Sequence, residues 1–287
     1  MLSDRISRLF SRIDEGKRLI DQYRPLSNSI VSHLRDRFLV EWTYNSNAIE
    51  GNTLTLKETR MVLEDGITIG KKPLKDHLEA INHKEAIVFI EELASQKDPI
   101  TERNIREIHA ISNHLPPDPL IVPELMANFT NERLLNPTGH PIEQAARAHF
   151  DLVSIHPFVD GNGRTARLIM NLILLKHGYF PTIILKNDRK KYYDALEKGR
   201  QKNNVDDFIF LTGRALERTI YLYLEVIPEI KTHFLTLSEA AKLSPYSQDY
   251  LGILARRGSI PAFKLKRNWV ITQEALQRYV HDQKNQK

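Results

Sequence analysis

His156-Pro157-Phe158-Val159-Asp160-Gly161-Asn162-Gly163-Arg164-Thr165-Ala166-Arg167 is the stretch of this 287-residue chain on which the rest of the reading turns. It lies between two amphipathic runs, Pro141 to Ile155 before it and Leu168, Ile169, Leu172, Ile173 and Leu175 after it, which predicts a loop opening a helix. Pro157 forbids an ordinary helical continuation of the first run, while Gly161 and Gly163 permit positive φ and close backbone approach. The helix that follows begins with free N–H groups pointing into the loop, where phosphate oxygens would be satisfied. Arg164 and Arg167, three apart on its first turn, project from one face and oppose the macrodipole, so an anion is expected between them. Two forked guanidiniums suit a polyphosphate. Asp160 offers a hard carboxylate of the kind Mg²⁺ uses once or twice while phosphates and water fill its octahedron. His156 is the natural general base. Two rival chemistries are poor fits: His149 and His156 are seven apart with no third close zinc ligand, and the nucleotide P-loop pattern is absent.

Outward from this stretch the body reads as helices of ordinary length broken where proline, glycine and asparagine gather. Thr55 with Glu58 makes a capping box before a short helix that Gly66 can end. Asp76 to Ala94 places Leu78, Ile81, Ile87, Phe89, Ile90 and Leu93 at helical spacings, and Thr101 caps the run carrying Ile105, Ile108 and Ile111. Leu115 to Pro123 is too rich in proline to be helical. Helices are expected again over Pro123 to Leu135, Arg189 to Asn203 and Val205 to Val226, with Pro228 closing the body. After Phe234 the pattern becomes a short helix (Leu237 to Leu243), a turn at Ser244-Pro245, a helix from Gln248 to Arg257 ended by Gly258, strand-like runs Ala262 to Leu265 and Trp269 to Thr272, and a last helix with Ala275, Leu276 and Tyr279. That order reads as a winged helix-turn-helix.

The twelve residues from His156 to Arg167 match the signature H-x-F-x-D/E-G-N-G-R-x-x-R at every fixed position, and so resemble the Fic-domain family. The resemblance implies transfer of AMP from Mg·ATP to a Ser, Thr or Tyr hydroxyl of a target protein. On that reading His156 takes the hydroxyl proton, Phe158 packs the loop, Asp160 holds Mg²⁺, Gly161 shapes the turn, Asn162 and the Gly163 backbone cradle the α-phosphate, and Arg164 and Arg167 hold the β- and γ-phosphates. The kinase-like relative in this superfamily lacks the second arginine, so Arg167 favours AMP over phosphate transfer. Upstream, Ser46-Asn47-Ala48-Ile49-Glu50-Gly51 resembles the family's inhibitory motif S/T-x-x-x-E-G/N. Glu50 brought against Arg167 would pair with the guanidinium meant for the γ-phosphate. Tyr192, Tyr193 and Leu196 lie where the family lines its adenine pocket. The likeness runs from Tyr44 to Val226, including Asn52 to Leu56 and Pro73 to Ile87, with one departure. Between His109-Ala110-Ile111 and His114-Leu115-Pro116 the family usually carries a β-hairpin flap that aligns the target peptide, whereas here only Ser112 and Asn113 intervene. Either the flap is lost or residues are missing from the sequence. A true loss leaves nucleotide binding intact and weakens transfer to a peptide.

Charge divides the chain. Of 41 basic and 36 acidic residues, nine basic and four acidic fall between 233 and 287, which leaves 32 of each sign in the body. That tail resembles small DNA-binding domains of the MerR/excisionase type over Leu235 to Val280. Lys264, Lys266 and Arg267 at a wing tip could meet phosphates, and Gln248, Arg256 and Arg257 could face a groove. Cysteine is absent, which excludes disulfides, a thiol nucleophile and thiolate zinc sites, and fits an intracellular, cytoplasmic home. No apolar run approaches the ~18 residues of a membrane span. The expected fold is mainly α, a Fic-type helical bundle followed by a small winged helix-turn-helix. Its expected parts are an N-terminal helical region with the inhibitory motif (1–75), a catalytic core (76–230) and the DNA-binding module (233–287). Partners on this reading are a target protein with a modifiable hydroxyl, DNA and a second copy of the chain. Two rival functions share the same residues: a DNA-binding regulator whose body only senses nucleotide, and AMP removal with Glu50 orienting the attacking water.

Overall fold

A computed structural model of the chain describes residues 2–111 and 122–285. Ser112 and Asn113, where a flap is expected, and most of the proline-rich stretch lie outside the described residues. The chain forms two compact units, one of Met1–Val31 with Leu216–Lys287 and the other of Ser32–Ala215. Both are mainly helical, and among the described residues the only strands are three short ones near the C-terminus. No helix among the described residues is long and apolar enough to cross a membrane.

Helix α1 (Asp4–Asp21) opens the first unit and buries Ile6, Leu9, Phe10, Ile13, Leu19 and Ile20 along one stripe. The second unit takes up α2 (Asn28–Ile49), α3 (Leu56–Glu64), α4 (Leu74–Ser95), α5 (Glu102–Ile111) and α6 (Val122–Phe129), which runs on as a π-helical stretch over Thr130–Leu135. It continues with α7 (Pro141–Ile155), α8 (Asn162–Lys176), a 3₁₀ turn at Lys186–Asp188, α9 (Arg189–Lys202) and the first half of α10 (Asp206–Val226). The expected caps are present. Thr55 Oγ1 accepts from Glu58 N at 3.2 Å while Glu58 returns the bond to Thr55 N at 2.7 Å, and Thr101 with Asn104 does the same for α5. Pro141 starts α7, where its missing N–H costs nothing. Helix α8 is the core of this unit, buried on every side from Arg164 to Leu174 and packed against α7, α4 and α5. The Phe158–Gly163 loop sits at its N-terminus, and its other end, from Leu175 to His177, comes to the surface.

Helix α4 departs from the expected pattern. Leu78 and Ile81 are 43% and 39% exposed, whereas Ile87 and Ile90 are buried as expected, together with Asp76, His77, Ala80, His83 and Ala86. At the N-terminal end of that face Asp76 accepts from Thr53 N and His77 from Ile69 N, while Ala80 joins the apolar cluster of Val40, Leu54, Val62 and Leu63, so the large aliphatics mark the inside only further along the helix.

In the first unit α10 continues past Leu216, a short α11 (Pro228–Lys231) follows, and β1 (Phe234–Thr236), α12 (Leu237–Lys242), α13 (Gln248–Arg257), β2 (Phe263–Leu265), β3 (Asn268–Thr272) and α14 (Gln273–Asn285) complete the chain. The antiparallel sheet has the order β1-β3-β2, with Leu235 opposite Ile271 and Lys264 opposite Trp269. Leu265 pairs with Asn268, so the wing is a two-residue hairpin of Lys266 (φ 53°) and Arg267 rather than the three-residue connection expected from sequence. Leu237, Leu251, Leu254, Ile260, Ile271 and Leu276 lie at the centre of its core.

Candidate active site

Pro157 stops α7, and His156 caps it in the left-handed region at φ 55°, its N–H bonded to Leu152 O at 3.0 Å. A side chain other than glycine is uncommon there. His156 is exposed, whereas Phe158 two residues on is buried with its ring stacked on His109 at 3.6 Å between centroids. The Asn162 amide closes the loop from both ends: Oδ1 accepts from Phe158 N at 3.0 Å and Nδ2 donates to Phe158 O at 2.6 Å. Gly161, at φ 79°, is the N-cap of α8. Asp160 Oδ1 accepts from Gly161 N at 2.6 Å and its carbonyl bonds His109 Nε2 at 3.1 Å, which leaves the carboxylate half exposed beside the helix end.

Both arginines of the first turn are buried, each with 2% exposure. A buried guanidinium requires counter-charge and acceptors. Arg164 Nη1 meets Glu79 Oε1 at 3.1 Å and Nη2 lies 3.8 Å from Asp160 Oδ2, while its Nε has no partner among the described residues. Arg167 is more fully held. Its Nε donates to Ser46 Oγ at 3.0 Å, its Nη2 to Ser46 O and Glu50 Oε1, both at 2.9 Å, and its Nη1 to Tyr192 OH at 3.3 Å. Burial opposes the Arg167 charge, but the Glu50 carboxylate and the Tyr192 hydroxyl outweigh it and raise the pKa. The carboxylate of Glu50 also presses on the helix end, where a Cβ at Gly163 would run into it.

The turn that carries Glu50 is pinned. Gly51 has φ 100°. Asn52 Nδ2 donates to Asp76 O and Glu79 Oε2, both at 3.0 Å, Thr53 N donates to Asp76 Oδ2 at 2.8 Å, and Arg189 Nε reaches Ile49 O at 2.8 Å. Glu79 thus holds Arg164 with one oxygen and the Glu50 turn with the other. Sequence reasoning missed Glu79, His109 and Asp76, since isolated acids and a histidine on amphipathic helices give no spacing signal.

Behind the arginines stand two fully buried histidines. Burial, reinforced by Arg167 and Arg164, pushes His83 down to about 3, and burial with Arg167 lowers His149 in the same direction. Of the three residues expected at an adenine pocket, Tyr193 is 39% exposed with the Arg189 guanidinium 4.9 Å from its ring centre, whereas Tyr192 and Leu196 are buried. Burial raises the Tyr192 hydroxyl to about 12.

Among the described residues no three His, Asp or Glu side chains gather around one point that could hold a metal ion. The half-exposed Asp160 carboxylate lies 3.8 Å from the Arg164 guanidinium at the start of α8. In the other unit Gln248, Arg256 and Arg267 line one cleft of about 430 Å³ together with Ser238, Asp249 and Trp269. Arg257, Lys264 and Lys266 are exposed outside that lining.

Fold and site together define a helical bundle built around one loop and helix, joined to a helix-turn-helix module. The chain belongs to the Fic/DOC family: the family model matches residues 75–174, and a helix-turn-helix domain model matches residues 234–284. Curated relatives include the protein adenylyltransferase Fic of Drosophila melanogaster, 36% identical over 69% of this chain and 44% of its own length. That of Nematostella vectensis is 40% identical over 63% of this chain and 48% of its own. The chain therefore spans under half the length of these relatives. Among solved structures, Fic-1 (residues 134–508) from C. elegans superposes with a TM-score of 0.68 at 31% identity, covering 76% of this chain and 71% of that one.

Proposed function

We propose that the chain is a protein adenylyltransferase that moves AMP from Mg·ATP to a hydroxyl of a target protein and is held off by Glu50. The contact between Glu50 and Arg167 carries this reading. A buried cation at a helix N-terminus is satisfied by an internal carboxylate at the place where a terminal phosphate would go. The name shared by the curated relatives supports the same activity.

In the active state Arg164 and Arg167 bind the outer phosphates, the backbone of Gly163 and the Asn162-braced loop receive the α-phosphate, and Tyr193 flanks the base. His156 accepts the proton as the target hydroxyl oxygen bonds to the α-phosphorus. The bond from that phosphorus to the bridging oxygen breaks, and pyrophosphate leaves with its charge spread over the two guanidiniums. Mg²⁺, held by Asp160, would supply further positive charge to the phosphates. A cytoplasmic setting, where Mg·ATP is at hand, goes with this reading. DNA is the proposed partner of the basic tail, with Gln248, Arg256 and Arg267 facing the duplex.

Incubation with ATP labelled in its α-phosphate tests the proposal. Label should enter the protein slowly in the wild type and faster in Glu50→Gly. His156→Ala in the Glu50→Gly background should lower the rate by ~10²–10⁴ while ATP still binds. Glu50→Gly protein that takes up no label would refute transfer, and loss of label from modified protein only when Glu50 is intact would favour AMP removal.

A further inference from the structure

The four acceptors on Arg167 come from two sides. Ser46 Oγ, Ser46 O and Glu50 Oε1 belong to α2 and its end, whereas Tyr192 OH belongs to α9. When Glu50 and its helix end give way to a nucleotide, the acceptors on the first side are those that are disturbed. Tyr192 has its own anchor. Its hydroxyl lies 3.1 Å from His149 Nε2 on α7, and the two rings meet edge to face at 5.6 Å. Phe208 packs against both, 4.7 Å from the His149 ring and 6.0 Å from that of Tyr192. Tyr192 and His149 have 1% and 0% exposure, so neither can change partner by turning into water. Because burial and the Arg167 charge disfavour the protonated form of His149, its Nε2 can accept a hydrogen bond from the tyrosine O–H while the tyrosine oxygen accepts from Arg167.

We propose that Tyr192 and His149 form a fixed seat for Arg167, and that they position its guanidinium for the terminal phosphate of the nucleotide once Glu50 has withdrawn. Tyr192 is then a positioning residue, acting through Arg167, and differs in role from Tyr193 beside it, which presents its ring to solvent. The aromatic ring of Tyr192 serves packing. Its hydroxyl serves the arginine.

The inference rests on the nucleotide reading given above, and the test separates the two. Dissociation constants for Mg·ATP and Mg·ADP are measured by calorimetry on full-length Glu50→Gly and on Glu50→Gly/Tyr192→Phe, with thermal unfolding run on both. Glu50→Gly should prefer ATP over ADP. Removing the hydroxyl should cut that preference roughly tenfold, the scale of one charge-assisted hydrogen bond, and leave the affinity for ADP where it was. Equal preference in the two proteins would overturn the proposal, as would a parallel loss of ATP and ADP affinity, which is the mark of a merely structural tyrosine. Should Tyr192→Phe unfold, His149→Phe in the same background keeps the hydroxyl and removes its anchor. A weakened preference there supports the seat, and an unchanged one overturns it. A Glu50→Gly protein with no preference for ATP would instead refute the nucleotide reading, and the seat with it.

Discussion

Arg167 shows what a single buried charge demands of its surroundings, and His83 and His149 show the cost of placing more titratable groups beside it. Both histidines have folded pKa values below the ordinary 6.5, so between that value and the folded pKa the unfolded chain binds more protons than the native one. The contribution of the two histidines to stability is therefore complete above about pH 6.5 and is lost as pH falls, for His83 down to about 3, with a slope of about 1.4 kcal/mol per pH unit for each histidine within its window. Denaturant melts of the wild type and of His83→Phe between pH 7 and 4 should show the variant losing less. Equal slopes would mean that His83 is not buried neutral. From the sequence, His156, Asp160, Arg164 and Arg167 were legible as one constellation because their spacing is fixed along a loop and helix, whereas Glu50, far upstream of Arg167, was marked only by its resemblance to an inhibitory motif. Glu79, His109 and the seat beneath Arg167 were not, since contacts between residues far apart in the chain leave no periodic trace.

Single elements were legible where local chemistry decides them and obscure where packing does. The capping box at Thr55 and the start of α7 at Pro141 follow from a few neighbouring residues. The buried face of α4 and the strand β1 do not, because β1 is only three residues long and exists by pairing with β3. Helix α1 belongs to the second kind. Its Gly16 lies so close to α10 that an added Cβ would collide with Ile220 and come within 3.2 Å of the Phe263 ring. Gly16→Ala should destabilise this unit by about 1–2 kcal/mol, with overpacking outweighing the gain in helix propensity. Thermal unfolding measures it, and an unchanged or raised midpoint would show that α1 yields there.

At the scale of the whole molecule, the surplus of positive charge sits in a unit that includes the N-terminal helix as well as the tail. Duplex binding should accordingly be measured on the full chain. If DNA is the partner, affinity should fall with salt at a log–log slope of about −0.9 per phosphate contacted. Replacing Lys264, Lys266 and Arg267 by alanine should flatten that slope for every sequence alike, while Gln248→Ala or Arg256→Ala should change sequence preference. No salt-dependent binding at ~50 mM salt would point to a protein partner for this face. The division of the chain also sets an order of events during its synthesis. Residues 32–215 can close as a unit while the ribosome is still at work, but α1 is made first and its partners in the sheet and α14 are made last. At ordinary elongation speeds of about 5–20 residues per second, the apolar stripe of Ile6, Leu9, Phe10 and Ile13 waits for about 10–40 s on a nascent chain without the residues that will cover it. Throughout that interval the stripe is open to any factor that binds apolar nascent chain, a surface the folded unit hides.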